Sequence, residues 1–444
     1  MRNAGRTQVT ALAVALTAGV SLSACSSSGS AGGGATNAAK QAVSTTIPSD
    51  KVTLTLATED TSGLTQKLVD GFTKLHPNVT INVQTTAYSA YTANIQLRLA
   101  SSSAPDLSET VVLGNLVKHN LVRSLDDYAN LYGWTSKVSK YALDEYRMGS
   151  DQIGGHGSLY AVSAGFALTG LYYNKKLMSK LGISAPPTTL DELDQDLAKA
   201  KAAGDIGFEV AAKDGHAAFL VQQVADAYAS PDTMNSWIFG AKGATFDQPG
   251  VSQGAQKLID WAKAGYINKT ANANALTDSV AEFSKGNALF FNDGNWDAAS
   301  LQKGVGNDLG FIAFPAATPG GNVNSMVGGT AGYQIAAKSK HPDVAAAFLD
   351  YSIGADAAKI VSSFGNLPND SSALDAPAGS LNSDFATAWQ AVQKSNGLFG
   401  YWANAYEAAN TTLTQTTEQM IGGSLDPKSF IKQVQSGWEQ AHQA

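Results

Sequence analysis

From residue 52 the chain alternates, Val52-Thr-Leu-Thr-Leu-Ala57, with β-branched side chains at the polar positions, and this predicts a strand. Glu59-Asp60-Thr61-Ser62-Gly63 then reads as a loop. Leu64, Leu68, Phe72 and Leu75 recur at helical spacing until His76-Pro77 stops the pattern. Val79-Thr-Ile-Asn-Val-Gln84 alternates again, Tyr88 opens a second helix to about residue 100, and Ala104-Pro105-Asp106 turns into a third short strand. The order β-α-β-α-β predicts an open parallel sheet with helices on its faces. Ligands of such sheets lie beyond the carboxyl ends of the strands, where Glu59, Asp60 and Glu109 fall.

The stretch 159–173 is long, apolar and punctuated by glycine, which suits extended backbone crossing between two domains. Helical patterns follow at 174–181, 190–203, 216–239, 251–264 and 280–285, and Thr189 is placed to cap the second. Strands are expected at 288–291, 309–314 and 332–337, and the remainder from Pro342 onward reads as almost wholly helical. The body, about 394 residues by the range 51–444, is long for one core, so two domains are expected.

The first residues have another character. Arg2 and Arg6 precede an uncharged apolar run from Val9 to Leu22, and Leu22-Ser-Ala-Cys25 follows. That is the layout of a signal peptide over 1–24, with a run too short to span a bilayer. Cys25 is the only cysteine and stands where a lipoprotein signal needs it, so lipidation of Cys25 is expected, with localisation at the cell membrane facing the extracellular side. Residues 25–50 are small and polar and are expected to form a flexible tether. The formal net charge of −7, with no basic run, argues against a nucleic-acid partner.

Catalytic patterns are absent from the sequence: the six histidines show no metal-ligand spacing, and there is no nucleophile elbow. No metal, cofactor or enzymatic activity is expected. Gly154-Gly155-His156-Gly157 reads as a loop or hairpin turn. A glycosidase would need two carboxylates about 5–10 Å apart, which Glu59, Asp60, Glu109 and Asp293 are able to supply, but the same groups bind sugar hydroxyls without chemistry. Trp237, Trp296 and Trp402, with Tyr401, sit in or beside polar contexts rich in glycine or asparagine, as in Asn292-Asp-Gly-Asn-Trp296. Such rings suit the apolar faces of a sugar.

In this order the chain resembles the extracellular solute-binding proteins of ABC importers, in the branch that holds maltose- and oligosaccharide-binding proteins. The resemblance rests on Phe72-Thr-Lys-Leu-His-Pro77, Ser103-Ala-Pro-Asp106, Leu159-Tyr-Ala-Val162, Leu171-Tyr-Tyr-Asn-Lys-Lys-Leu177, Pro187-Thr-Thr-Leu-Asp-Glu-Leu193, Phe283 to Leu289 and Asp293-Gly-Asn-Trp296. Gly328-Gly329 and Ala336 to Pro342 complete the set. It implies an α/β, two-lobed fold with hinge crossovers, divided as 51–165 with 287–330 and 166–286 with 331–444. It also implies a sugar or oligosaccharide in the interlobe cleft, membrane permease subunits as partners, and a monomer. Carried over by position, Glu59 and Asp60, Glu109, Trp296 and Trp402 would contact the ligand, and Phe166 stands where maltose binders carry a glutamate. A polyol or glycerol phosphate ester is the alternative ligand, and a surface carbohydrate-active enzyme the alternative class.

Overall fold

The computed structural model describes residues 43–86, 88–111, 113–370, 376–406 and 408–442. The signal peptide, Cys25 and the tether up to residue 42 lie outside the described residues. The alternating segments form strands β1 (Val52–Thr58), β2 (Val79–Thr85) and β3 (Leu107–Glu109), joined through helices α1 (Leu64–Leu75) and α2 (Tyr88–Ala100). β1 lies between β2 and β3 and is parallel to both, as the β-α-β-α-β order requires. Leu64, Leu68 and Phe72 are buried on the inner face of α1, whereas Leu75 at its end is 56 % exposed.

Beyond β3 the sheet continues through the antiparallel strand Ser325–Ile335 and the long strand Ala161–Asn174 to Ala288–Gly294 and Ile206–Glu209. The long strand changes partners along its length. Its first half pairs with Ser325–Ile335, and from Thr169 it pairs with Ala288–Gly294. Its last residues alternate between two apolar cores: Leu168 and Tyr172 join the first, Leu171 and Tyr173 the second. The apolar, glycine-punctuated composition of 159–173 thus reflects a strand covered on both faces.

The first core is built around β1, β2 and α1, and the second around the helices Leu190–Ala202, Ala217–Asp226, Val251–Ala264, Ala409–Ile421 and Pro427–His442. The mixed α/β, two-lobed architecture matches expectation, but the cores divide the chain differently from the proposed boundaries. Val344, Phe348, Val361, Phe385 and Trp389, expected in the second lobe as part of 331–444, belong to the first core. Strand Ser325–Ile335 ends beside β3, deep in the first sheet, so the helices after it pack there. Phe348 meets Phe72 edge-on at 5.6 Å. After strand Ser325–Ile335 the chain returns to the second core only from Phe399 onward.

Residues 43–50, expected to belong to the flexible tether, are docked on the folded body. Ser44 N–H donates to Asp343 at 3.2 Å, Asn78 donates to the carbonyls of Pro48 and Asp50, and Val43 and Ile47 pack on the first core. Two apolar side chains among small polar neighbours suffice to dock 43–50. Among the described residues, no helix is long and apolar enough to cross a membrane.

Candidate functional site

A cavity of about 650 Å³ opens between the two cores. The loops after β1 and β3 bring Glu59, Thr110, Val111 and Leu113 to one wall, as strand-end geometry predicts. Tyr141, Glu145 and Tyr146 come from the short helix Lys140–Asp144 and the residues after it. The opposite wall carries Ile238, Phe239, Gly400, Asn404 and Tyr406, and Gly329 of the shared strand forms part of the floor.

Close backbone approach holds the tyrosines and Glu145 in place. A Cβ at Gly329 would fall 2.0 Å from the Tyr146 hydroxyl, and one at Gly332 2.7 Å from it, so the ring fits only because both positions are glycine. The Gly329 N–H donates to both Glu145 carboxylate oxygens at 3.2 Å. Tyr141 donates to the Val327 carbonyl at 2.9 Å. Gly328, next along the strand, leaves room for the Tyr401 ring.

The electrostatics follow from burial. Glu145 is pushed up to about 7 by loss of water, against the lowering effect of the Gly329 N–H. Glu59 is pushed up to about 7 first by burial, then by the neighbouring charges of Glu109 and Asp60. Among the described residues, none that lines the cavity is lysine or arginine. The walls thus present carboxyl groups that exchange between acceptor and donor near neutral pH, together with aromatic rings.

The sequence-selected residues separate into several groups. Glu59 lines the cavity. Glu109 stands behind it, accepting from the Thr58 hydroxyl at 2.5 Å and from the Glu59 N–H at 3.0 Å, and burial raises its pKa. It positions Glu59 and does not line the cavity. Asp60 turns toward α1: its carboxylate accepts from the N–H of Ser62 in the loop and from that of Thr65, one of the free donors of the helix's first turn. Burial opposes its charge, but the bonds from Ser62 and Thr65 together hold its pKa low.

Three aromatic candidates are core residues. Phe166 is buried and stacks on Trp389 at 5.6 Å. Trp237 is buried, stacks on Trp438 and donates to Gln435. Trp402 is buried, meets Phe246 edge-on at 4.7 Å and points its N–H at the Met234 sulfur. None of the three lines the cavity, because the surrounding helices close over them. Trp296 is 43 % exposed and lies edge-on to Phe219, which packs on Tyr401 at 5.3 Å, so these rings form an aromatic lip. The Trp296 ring lies over Gly294, where a Cβ would come within 2.2 Å of it. Asp293 is wholly buried behind the lip, beside His216 at 3.4 Å. Burial and then the Asp297 charge raise Asp293, while burial lowers His216 to about 4, so the imidazole is neutral at pH 7.

Sequence reading missed Tyr141, Glu145, Tyr146 and Phe239. The first three belong to a short helix and its exit, too brief for a periodic signal. Glu145 acquires its role only through a glycine 184 positions away.

The sequence profile described as "Bacterial extracellular solute-binding protein" matches residues 57–359. A relative from Streptococcus mutans named "Multiple sugar-binding protein" is 22 % identical over 325 residues, covering 68 % of this chain and 71 % of that protein. Among solved structures, a family 1 extracellular solute-binding protein from Bifidobacterium longum subsp. infantis has a TM-score of 0.73 at 20 % identity, covering 88 % of this chain and 100 % of that one. The apo form of RafE from Streptococcus pneumoniae has a TM-score of 0.71 at 18 % identity, covering 89 % and 100 %.

Proposed function

Because the chain belongs to the bacterial extracellular solute-binding protein family, we propose that it binds a sugar or oligosaccharide in the cavity between its two cores and delivers it to an ABC importer permease. The observation that carries this reading is the lining of that cavity: carboxyl groups and aromatic rings with, among the described residues, no basic side chain. Hydroxyls of a neutral sugar both donate and accept, matching carboxyls that sit near their titration point, and its C–H faces suit Tyr141, Tyr146, Phe239 and Tyr406. A phosphate ester would call for arginine or lysine, which disfavours the glycerol phosphate alternative. The name of the Streptococcus mutans relative supports the same class.

Ligand touching both walls binds the closed arrangement more tightly and shifts the population toward it. The chain acts as a monomeric binder that leaves its ligand chemically unchanged. A lipid on Cys25 would hold it at the extracellular face of the membrane. A thermal-shift screen across mono- and oligosaccharides tests the reading: the cognate sugar raises the melting temperature, and product formation from that sugar would show an enzyme instead.

A further inference from the structure

A second cavity, of about 290 Å³, shares Tyr141 and Phe239 with the first. It too lies between the lobes. Lys140, Asp144 and Gly155 come from the first-lobe side, and Asp232 and Ser236 from helix Pro231–Ile238 of the second. Phe239 and Tyr141 therefore form a wall common to both cavities. The glycine-rich turn noted in the sequence holds Phe239 there. Gly154 N–H donates to the Phe239 carbonyl at 3.0 Å, and the ring lies so close over Gly155 that a Cβ there would come within 2.4 Å of it. Gly155 also has a φ of +79°, so the turn demands glycine twice over.

The polar groups of the second cavity differ from those of the first. Here Lys140, ion-paired with Asp144, lines the cavity together with Asp232 and Ser236, whose hydroxyl donates to the Asp232 carbonyl at 2.7 Å, and the Lys140 side chain is 79 % exposed. The first cavity already has the volume of a typical small-ligand pocket, so the second is additional length. We propose that the ligand is an oligosaccharide longer than the first cavity. One end passes beside Tyr141 and Phe239, and its hydroxyls meet Lys140, Asp144 and Ser236 in the second. This rests on the sugar reading and extends it to chain length. The two rings that line both cavities suit the apolar faces of a pyranose, and the polar side chains of the second suit the hydroxyl-rich end of the chain.

The test is calorimetric titration of the full chain with ladders of malto-, xylo- and chito-oligosaccharides from monosaccharide to pentasaccharide. One ladder is expected to bind, with affinity rising about tenfold or more once the chain outgrows the first cavity. Ser236→Trp, an exposed helical position that the larger ring would use to fill the second cavity, is expected to cancel that rise. Lys140→Ala should reduce it by a smaller factor. Binding that stays flat along the ladder, or a rise that survives Ser236→Trp, overturns the second cavity as a subsite while leaving the sugar reading in place. Silence across all ladders overturns both.

Discussion

Trp402 and Trp296 stand in similar sequence surroundings, each close to glycine and asparagine, yet they finish in opposite environments. Trp402 is sealed among Phe246, Phe430 and Met234 in the second core. Trp296 is 43 % exposed at a lip with Phe219. Local composition is the same kind of signal in both, and what separates them is distant. Helices Pro231–Ile238 and Pro427–His442 cover Trp402, whereas Trp296 follows a strand end in a short 3-10 turn, where Phe219 meets it edge-on and leaves 43 % of it exposed. An aromatic ring flanked by polar residues marks a surface only where no later element packs on it.

The largest effect that would break this contrast belongs to Trp402→Ala. Emptying so large a buried site is expected to cost about 3–5 kcal/mol of stability, read from denaturant unfolding. Loss of affinity with undiminished stability would mean that the ring faces the ligand after all.

Next comes Glu145→Gln. It keeps the shape and removes the charge, and is expected to weaken sugar binding about tenfold. It also has a pH signature. Glu145 is pushed from 4.5 to about 7 in the folded chain, so the native state holds more protons than the unfolded one between those values, and stability falls as pH rises through that window. Glu59 and Glu209, both raised to about 7, act in the same direction. His216, lowered to about 4, acts oppositely: its contribution is lost as pH falls from 6.5 toward 4. Glu145→Gln should therefore flatten the decline of melting temperature across the Glu145 window, removing at most about 3 kcal/mol of the slope. An unchanged profile would place Glu145 in a solvated setting.

Asp60→Ala should cost about 1 kcal/mol of stability through the lost cap on α1. A fall in affinity without that loss would return Asp60 to the binding surface. The smallest stability effect is expected at Trp296→Ala, within about 0.5 kcal/mol because the ring is half in water. Any affinity loss from the lip should be roughly 1 kcal/mol, measured by the same titrations.

Much of the first lobe was legible because its period is regular: alternating strands 52–57 and 79–84 and the Leu64-Leu68-Phe72 stripe correspond to β1, β2 and α1. The long crossing strand was legible from its unbroken apolar run. Of the site, the sequence placed Glu59 at the cavity through strand-end geometry. It could not reach Glu145 or Tyr146, whose positions depend on Gly329 and Gly332 arriving from far along the chain. Asp60 misled for a simple reason: a carboxylate in a strand-end loop serves equally as a ligand contact or a helix cap, and only the direction of the side chain decides. The lobe boundaries misled because the chain returns through the shared sheet to the first core before its last helices complete the second.

The central claim is that the acid- and ring-lined cavity between the cores holds a neutral saccharide. It is tested most directly by titrating wild type and Glu145→Gln, at pH 7, with the sugar giving the largest melting shift. Saturable one-to-one binding is expected, weakened about tenfold in the variant while its melting temperature stays at or above that of wild type. Equal affinity in the two proteins would contradict the claim.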